Sequence, residues 1–348
     1  MSIRGRIIFH KFLNIFLFGI GACSFAIWPL SVKAEAERLY AFARMKAVEG
    51  RIVNQAIASQ VDEAAKSIGF SENTPSTSEW SVQPTLGFDA NINGGNSPDP
   101  LVIGSLIFES DPAEQRKSGI VAGVNMAQSM RYFYGYGKYL NVSLDAEHVR
   151  SVQHDLEVNS ANLNACLNNH ITDWWFIDFC ADTNYVNRKL VQTRRSNQSI
   201  IWSKIFEDSN RGYSQISLGA ARYNTASYSQ NQLILGLDTI GRDGDYVALE
   251  LVLGEPLADT LSTKVKISTQ LSSKFGNQPY SLSAAYEKAD GGLFFGSDRN
   301  DQTYSVIASF PVFTGVSASF GYTHTDSTVD YFDTSSPTFG LSFEQFRF

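Results

Sequence analysis

The chain has 348 residues, of which 43% are apolar and only 18% charged, and it is rich in Tyr and Phe. This charged fraction is below the roughly 25% of ordinary soluble domains. The net charge of −7 argues against a nucleic-acid partner, which would require a basic face.

Residues 1–34 have the three regions of a secretory signal peptide. Basic residues begin the segment, an apolar run of residues 12–30 follows, and small residues precede Ala34. We predict cleavage after Ala34; the alternative is a permanent anchor, because the apolar run is long enough to span a bilayer. Cleavage removes four basic residues and leaves 24 basic against 35 acidic ones, a net charge near −11. No later segment has the length and purity of a transmembrane helix, so strands must carry a membrane-embedded mature chain.

Residues 35–72 predict a short helical segment, located either in the periplasm or inside the lumen as a plug. Apolar residues recur at helical spacing from Glu35 to Phe70, and Gly50 divides the segment into two helices. A polar linker containing Pro75 follows and has the composition of a loop.

From Glu79 onward the periodicity changes to two. Leu140, Val142 and Leu144, for example, alternate with polar residues, as half-buried strands do. About fourteen such segments occur, each long enough for the roughly nine to eleven residues of a tilted spanning strand. The predicted fold class is all-β: a transmembrane antiparallel outer-membrane β-barrel over residues 73–348, after the short N-terminal helical segment.

The connections between these segments sort by parity. Those after even-numbered strands are short, whereas those after odd-numbered strands tend to be long, as at 92–117, 291–301 and 327–336. This sorting is typical of outer-membrane barrels with both termini in the periplasm, and a soluble sandwich has no reason to show it. We therefore predict location in the outer membrane of a Gram-negative bacterium, with membrane lipid and lipopolysaccharide as partners.

Aromatic residues near the predicted strand ends suggest girdles at the lipid headgroups. They are Trp80, Tyr139, Trp174, Trp175, Tyr213, Tyr246, Tyr280, Tyr304 and Tyr322. The terminal Phe348, with Phe346 two positions earlier, resembles the signal read by the barrel assembly machinery, which is a further predicted partner. Phe343 is out of phase with these two residues, and a β-bulge near Glu344 would reconcile them.

Cys166 and Cys180 belong to the exported part of the chain, where the oxidising compartment permits a disulfide. They flank the polar stretch 168–172, which suggests that they lie on facing strands. The sequence leaves the bond open because geometry decides it. Metal binding is a poorer interpretation, since only His170 lies nearby.

Four charged residues fall on predicted lumen faces, by the alternation of their strands. They are Asp145, Glu147, Lys264 and Lys266. These charges either tune the passage of a solute or simply solvate a polar interior, and the second interpretation is favoured.

A basic cluster formed by Arg188, Lys189, Arg194 and Arg195 lies near a predicted outer loop. It either contacts anionic lipopolysaccharide or is an ordinary solvated loop, and the sequence does not decide between these alternatives. No spacing predicts a catalytic triad, a cofactor site or a metal site, so we expect no enzymatic activity.

Three regions resemble the barrel domain of the surface lipoprotein assembly modifier family. They are the first strand, which closes on Asp89-Ala90-Asn91-Ile92-Asn93, the second strand at 118–123, and the final hairpin at 322–326, 331–333 and 339–343. The resemblance implies a fourteen-stranded barrel that assists translocation or surface display of lipoproteins or small secreted proteins. Members carry periplasmic tetratricopeptide repeats, whereas residues 35–70 supply about one repeat's length, which puts recognition of a lipoprotein client in doubt. A passive porin-like channel for small solutes is the alternative function.

Overall fold

The computed structural model describes residues 30–49, 55–71, 74–97, 99–103, 105–109, 111–208, 212–241, 243–275, 278–343 and 345–347. Most of the predicted signal peptide lies outside these residues, and the cleavage point predicted after Ala34 falls inside the first helix. Within the described residues, no helix combines the length and hydropathy needed to cross a membrane.

Two short helices precede the strands, as the sequence predicts. They are α1 (Leu30–Val48) and α2 (Gln55–Ser67). Gly50, the predicted break between them, lies outside the described residues. The helix α1 begins earlier than predicted, so cleavage after Ala34 would remove its first turn and leave the rest in the mature chain.

The strands follow in chain order. They are β1 (Thr77–Asp89), β2 (Leu101–Ile103), β3 (Leu106–Phe108), β4 (Gly119–Gly135), β5 (Lys138–Ser151), β6 (Glu157–Thr172), β7 (Trp175–Asn187), β8 (Gln192–Asp208), β9 (Gly212–Thr225), β10 (Ser229–Ile240), β11 (Tyr246–Gly254), β12 (Ser262–Phe275), β13 (Gln278–Phe294), β14 (Ser297–Phe313), β15 (Val316–Ser327), β16 (Thr334–Phe343) and β17 (Phe346–Arg347). In the described part of the chain, β1 and β4–β16 pair antiparallel with their neighbours in sequence order. They close into a barrel of 14 strands, which confirms the predicted fold class.

The barrel closes where β16 meets β1, with Thr85 opposite Ser342. Further along β1, Val82 lies opposite Phe346 of β17. Three positions separate the two β1 residues, whereas four separate their partners, so the C-terminal strand carries one extra residue. This is the irregularity that the phase of the C-terminal aromatics predicted, although Glu344 itself lies outside the described residues.

Alternation along the strands gives the barrel an apolar outer face. Leu144, Leu163 and Leu235 are among the large apolar side chains that the structure leaves exposed on this face. Their cross-strand partners point the same way, as the pairing of Leu144 with Leu163 shows. An exposed apolar band on a closed sheet without edges is stable in lipid and unfavourable in water.

One predicted loop is wrong. Residues 291–301 form a paired extension of β13 and β14 that turns at Phe295 and Gly296, instead of an irregular connection. The pairing continues because Phe294 packs edge-on against Phe332, which follows β15 in a short 3-10 helix at Asp330–Phe332. The long connection that remains is residues 90–118, which contains the β2–β3 hairpin.

Candidate functional site

The barrel interior is lined mostly by hydroxyl and amide side chains. On β12 to β16 the inward-facing positions include Ser268, Gln270, Ser272, Ser281, Ser283, Ser305, Ser309, Ser319, Thr323 and Ser342. These side chains leave the wall polar without closing it by apolar packing, which is typical of a water-filled lumen. We call the end of the barrel where β1 begins the terminal end, and the opposite end the loop end.

Helix α1 lies in the terminal end, against the inner wall. Its residues Leu39 and Phe42 are fully or almost fully buried. They pack with inward-facing residues of several strands, namely Phe176, Ile205, Ile240, Tyr246 and Ala248. An apolar cluster inside an otherwise polar lumen stabilises the helix in this position.

Two ion pairs fix the register of α1 on the wall. Arg38 donates from both terminal nitrogens to Asp178, at 3.1 and 2.6 Å, and both side chains are buried. The neighbouring Glu37 accepts from Arg131 at 2.9 and 2.8 Å. Adjacent helix residues of opposite charge thus meet opposite charges on the wall, so a helix shifted by one residue would bring like charges together.

The segment after α2 is held at a tight turn of the barrel. Gly137 donates its N–H to the carbonyl of Gly69 at 2.7 Å and accepts from the N–H of His170 at 3.0 Å. Gly137 has a φ of +62°, and a Cβ there would lie 2.1 Å from the ring of Phe70. Both the backbone conformation and the close approach therefore require glycine.

Four aromatic residues assigned to the lipid girdles point into the barrel instead. Tyr139 and Tyr246 are almost fully buried on inward-facing positions. Trp174 and Tyr213 contact the Phe42 ring, with centroids 4.6 and 5.7 Å away. Tyr246, Trp174 and Tyr213 belong to the surface that binds α1. Tyr139 shares the inward strand phase of Asp145, and Tyr246 shares that of Glu250, a signal that the assignment by strand-end position overlooked.

The beginning of the long connection 90–118 enters the lumen at the loop end. Ile92 is fully buried against inward-facing Val121, Val149 and Val158. Asp89 and Arg188 form a buried ion pair of 2.7 Å beside it. Arg188 of the basic cluster is therefore a structural residue of the lumen and is not available for a lipopolysaccharide headgroup.

The predicted lumen charges occupy different environments. Asp145 and Glu147 share the inward face of β5, and Asn125 donates to Asp145 at 3.0 Å. Lys266 faces Glu287 across β12 and β13. Lys264 lies at a bulge that interrupts the alternation after Thr263, and its exposed amine is 2.8 Å from Asp290 at the strand end. Its assignment to the lumen face by simple alternation does not hold at this bulge.

The two cysteines lie directly opposite each other on β6 and β7, and the structure joins them by a disulfide. Cys166 is 2% exposed and points inward. Among the described residues, no group of His, Cys, Asp or Glu side chains is arranged to hold a metal ion.

A row of polar residues, of which the sequence analysis singled out only Arg195, crosses the inner wall near the loop end, and we call it the polar belt. It consists of Asp182, Arg195, Asn197, Tyr223, Gln230, Thr263 and Glu287. Asp182 faces Asn197, Asn197 faces Tyr223, and Tyr223 faces Gln230 in the strand register. Gln230 donates to the Thr263 carbonyl at 2.7 Å, and the Thr263 hydroxyl donates to Glu287 at 2.6 Å.

Tyr228, in the connection between β9 and β10, lies over this belt. Its ring centroid is 6.2 Å from that of Tyr223. Burial raises the pKa of the Tyr228 hydroxyl to about 12, and Tyr223 and Glu287 add to the shift while Arg195 opposes it. The belt thus brings two phenols and charges of both signs to one level of the lumen.

A closed antiparallel barrel with an apolar outer band and a polar interior defines the class of the protein: it is an outer-membrane β-barrel. In this class the short turns lie in the periplasm, so the terminal end is the periplasmic end. The connections there include Tyr136–Gly137, Asp173–Trp174 and Thr314–Gly315, each of two residues.

Comparison with solved structures finds similar barrels with low sequence identity. Pseudomonas putida OprB is 8% identical, with a TM-score of 0.44 over 84% of this chain and 96% of that one. Acinetobacter baumannii OccAB4 is 7% identical, with a TM-score of 0.41 over 80% of this chain and 100% of that one. Pseudomonas aeruginosa OccK9 is 9% identical, with a TM-score of 0.38 over the same shares. Similarity at this level concerns the fold alone.

No family model and no curated protein matches the sequence. The resemblance to surface lipoprotein assembly modifiers is therefore not supported as a family assignment, and the similar solved structures are barrels of the OprB and Occ types. The short motifs that carried the resemblance have local structural roles here. The Asp89–Asn93 run, for example, forms the buried ion pair and the Ile92 insertion.

Proposed function

We propose that the protein is a channel for small solutes whose periplasmic mouth is narrowed by the N-terminal helices. The observation that carries the proposal is the position of α1, which occupies one side of a polar lumen. All the contacts described above for the helices lie on β4 to β11. The Ser- and Thr-rich wall formed by β12 to β16 and β1 remains as a path for water and solutes.

The charges of the inner wall predict a preference for cations. Carboxylates outside the buried ion pairs face the lumen at Asp145, Glu147, Asp182, Glu250 and Glu287, whereas Arg195 and Lys266 are their cationic counterparts. A lumen with excess negative charge concentrates cations and excludes anions at moderate ionic strength. The proposal includes no catalytic step.

Reversal potentials in planar bilayers test this selectivity. Under a salt gradient, the purified protein should pass K⁺ in preference to Cl⁻, and Glu147→Gln should reduce that preference. Asp155→Asn is the matched control, because Asp155 is a largely exposed carboxylate in a loop outside the lumen. An anion preference, or equal effects of the two variants, would contradict the electrostatic part of the proposal.

Translocation of a lipoprotein client, the main function implied by the sequence resemblance, receives less support than a channel. Helices docked in the mouth narrow the lumen, and no family model assigns the chain to that family. A surface lipoprotein stranded inside deletion cells, combined with absence of conductance, would reverse this preference. We infer that lipid, lipopolysaccharide and the assembly machinery are the remaining partners; Phe348, the proposed assembly signal, lies outside the described residues.

A further inference from the structure

The polar belt carries opposite charges that do not neutralise one another directly. Within the described residues, the ion pairs do not include Asp182, Arg195 or Glu287. Arg195 on β8 and Glu287 on β13 both face the lumen, and the contacts of the belt from Asn197 through Tyr223, Gln230 and Thr263 connect their levels. The two charges therefore share one inner wall without an ion pair between them, so both are available to a small molecule that carries opposite charges.

The aromatic pair adds a second kind of recognition to the belt. Tyr223 and Tyr228 lie side by side, and neither is fully buried. The faces of aromatic rings attract ammonium groups, most strongly where water is partly excluded. The belt thus offers an aromatic surface beside the Glu287 carboxylate for a cationic group, and the Arg195 guanidinium for a carboxylate.

The neighbouring charges discriminate against simple ions at this level. Lys266 faces Glu287 in the strand register, so a bare cation held by that carboxylate also meets a positive charge. Asp182 lies in the same belt as Arg195, so a bare anion meets a negative charge. A solute that carries both charges satisfies both ends of the belt at lower electrostatic cost.

The path into the lumen leads past the belt. At the loop end, the inserted Ile92 fills the side lined by Val121, Val149 and Val158. The belt occupies β7 to β13, further around the wall. The inserted segment therefore leaves the belt accessible to solutes that enter from outside.

We propose that the polar belt binds small zwitterions, with the solute carboxylate against Arg195 and its ammonium group against Glu287 and the two tyrosines. The proposal rests on the proposed channel function, because a solute reaches the belt through an open lumen. It goes beyond the general cation preference by naming one site and one class of solute.

Current recordings of the full mature protein with three probes of similar size test the proposal. Glycine betaine carries both charges, choline carries the cation without a carboxylate, and tert-butylacetate carries the carboxylate without a cation. Glycine betaine should interrupt the open-channel current with resolvable dwell times. Choline and tert-butylacetate should pass without such interruptions, because each lacks one of the two charges.

Three variants locate the site. Arg195→Gln and Glu287→Gln should each shorten the glycine betaine dwell time by about tenfold, as expected for the loss of one charge-assisted contact. Arg194→Gln is the matched control, because Arg194 is adjacent in sequence but points to the outer face, and its dwell time should equal that of the unmodified protein.

The outcomes separate the two proposals. A conducting channel that glycine betaine does not interrupt would overturn zwitterion binding and leave the channel function standing. Equal interruption by all three probes would also overturn zwitterion binding, because the belt would then not distinguish solutes by their charges. Absence of any conductance would refute the proposed function itself.

Discussion

Replacement of Arg38 by Ala should release α1 from the lumen wall. The guanidinium is fully buried and forms two hydrogen bonds to Asp178, whose side chain is 4% exposed. Removing one partner of a buried ion pair leaves the other charge without compensation, at a cost of about 3 to 5 kcal/mol. Each 1.4 kcal/mol is about tenfold, so the docking equilibrium should shift by roughly two to three orders of magnitude.

Amide hydrogen exchange of the protein in lipid nanodiscs measures this shift. Peptides that cover the part of α1 around Leu39 and Phe42 should lose protection in Arg38→Ala, while peptides from barrel strands remain protected. The double variant Arg38→Met/Asp178→Asn should recover much of the protection, because it leaves no buried charge unpaired.

Lys66→Ala provides the control for loss of a helix charge. Lys66 pairs with Asp62 across one turn of α2, and both side chains are about half exposed. Such exposed pairs contribute at most about 1 kcal/mol, so protection of α1 should remain unchanged. Unchanged protection in Arg38→Ala, or a double variant less protected than the single one, would refute the account of the buried pair.

Three further predictions concern other parts of the barrel. Ile92→Asp places a charge in the apolar cluster at the loop end, so the beginning of connection 90–118 should leave the wall. Single-channel conductance should then increase. Unchanged conductance would mean that the inserted residue does not limit ion flow. Reduction of the Cys166–Cys180 disulfide, which closes a loop of 14 positions, should lower the free energy of unfolding by about 3 kcal/mol in denaturant titrations, and Cys166→Ser/Cys180→Ser should become insensitive to reductant. Asn231 donates hydrogen bonds from its backbone and side chain to Glu255 and so lowers the pKa of that loop carboxylate. The resulting stabilisation is complete above the ordinary Glu pKa and is lost as the pH falls through the lowered one. Asn231→Ala removes the side-chain donor and keeps the backbone donor, so the pKa of Glu255 should rise only part of the way to its ordinary value in a carbon NMR titration. An unchanged titration would contradict the contribution of the side chain.

The strands could be predicted from the sequence because the barrel is surrounded by lipid and encloses water. One face of each strand meets lipid and the other meets water, so the apolar residues alternate over long segments, as on β5. The number of strands and the C-terminal irregularity follow from that periodicity. The extended hairpin of β13 and β14 did not, because its stability depends on the contact of Phe294 with Phe332 outside the membrane.

The docking of α1 and of Ile92 inside the barrel could not be predicted from the sequence, because the residues that bind them resemble residues with other roles. Tyr139 and Tyr246 are aromatic residues near strand ends, which is also the signature of a lipid girdle. Alternation with the outward Leu140 and Val247 places both on the lumen phase, but their position at strand ends was given more weight; the structure shows both buried inside the barrel. The polar belt could not be predicted either. Tyr223 and Glu287 are far apart in sequence, and only the pairing of the intervening strands places them at one level of the lumen.

Single-channel conductance of the purified mature protein, with and without residues 35–72, tests the central claim most directly. The intact protein should conduct, because α1 and α2 narrow its water-filled lumen without closing it. The deletion variant should show a larger and steady conductance. Heat-modifiable migration on a gel would establish that both forms are folded barrels. If both folded forms fail to conduct, the interior is closed by the barrel wall itself, and the description of the protein as a channel is wrong.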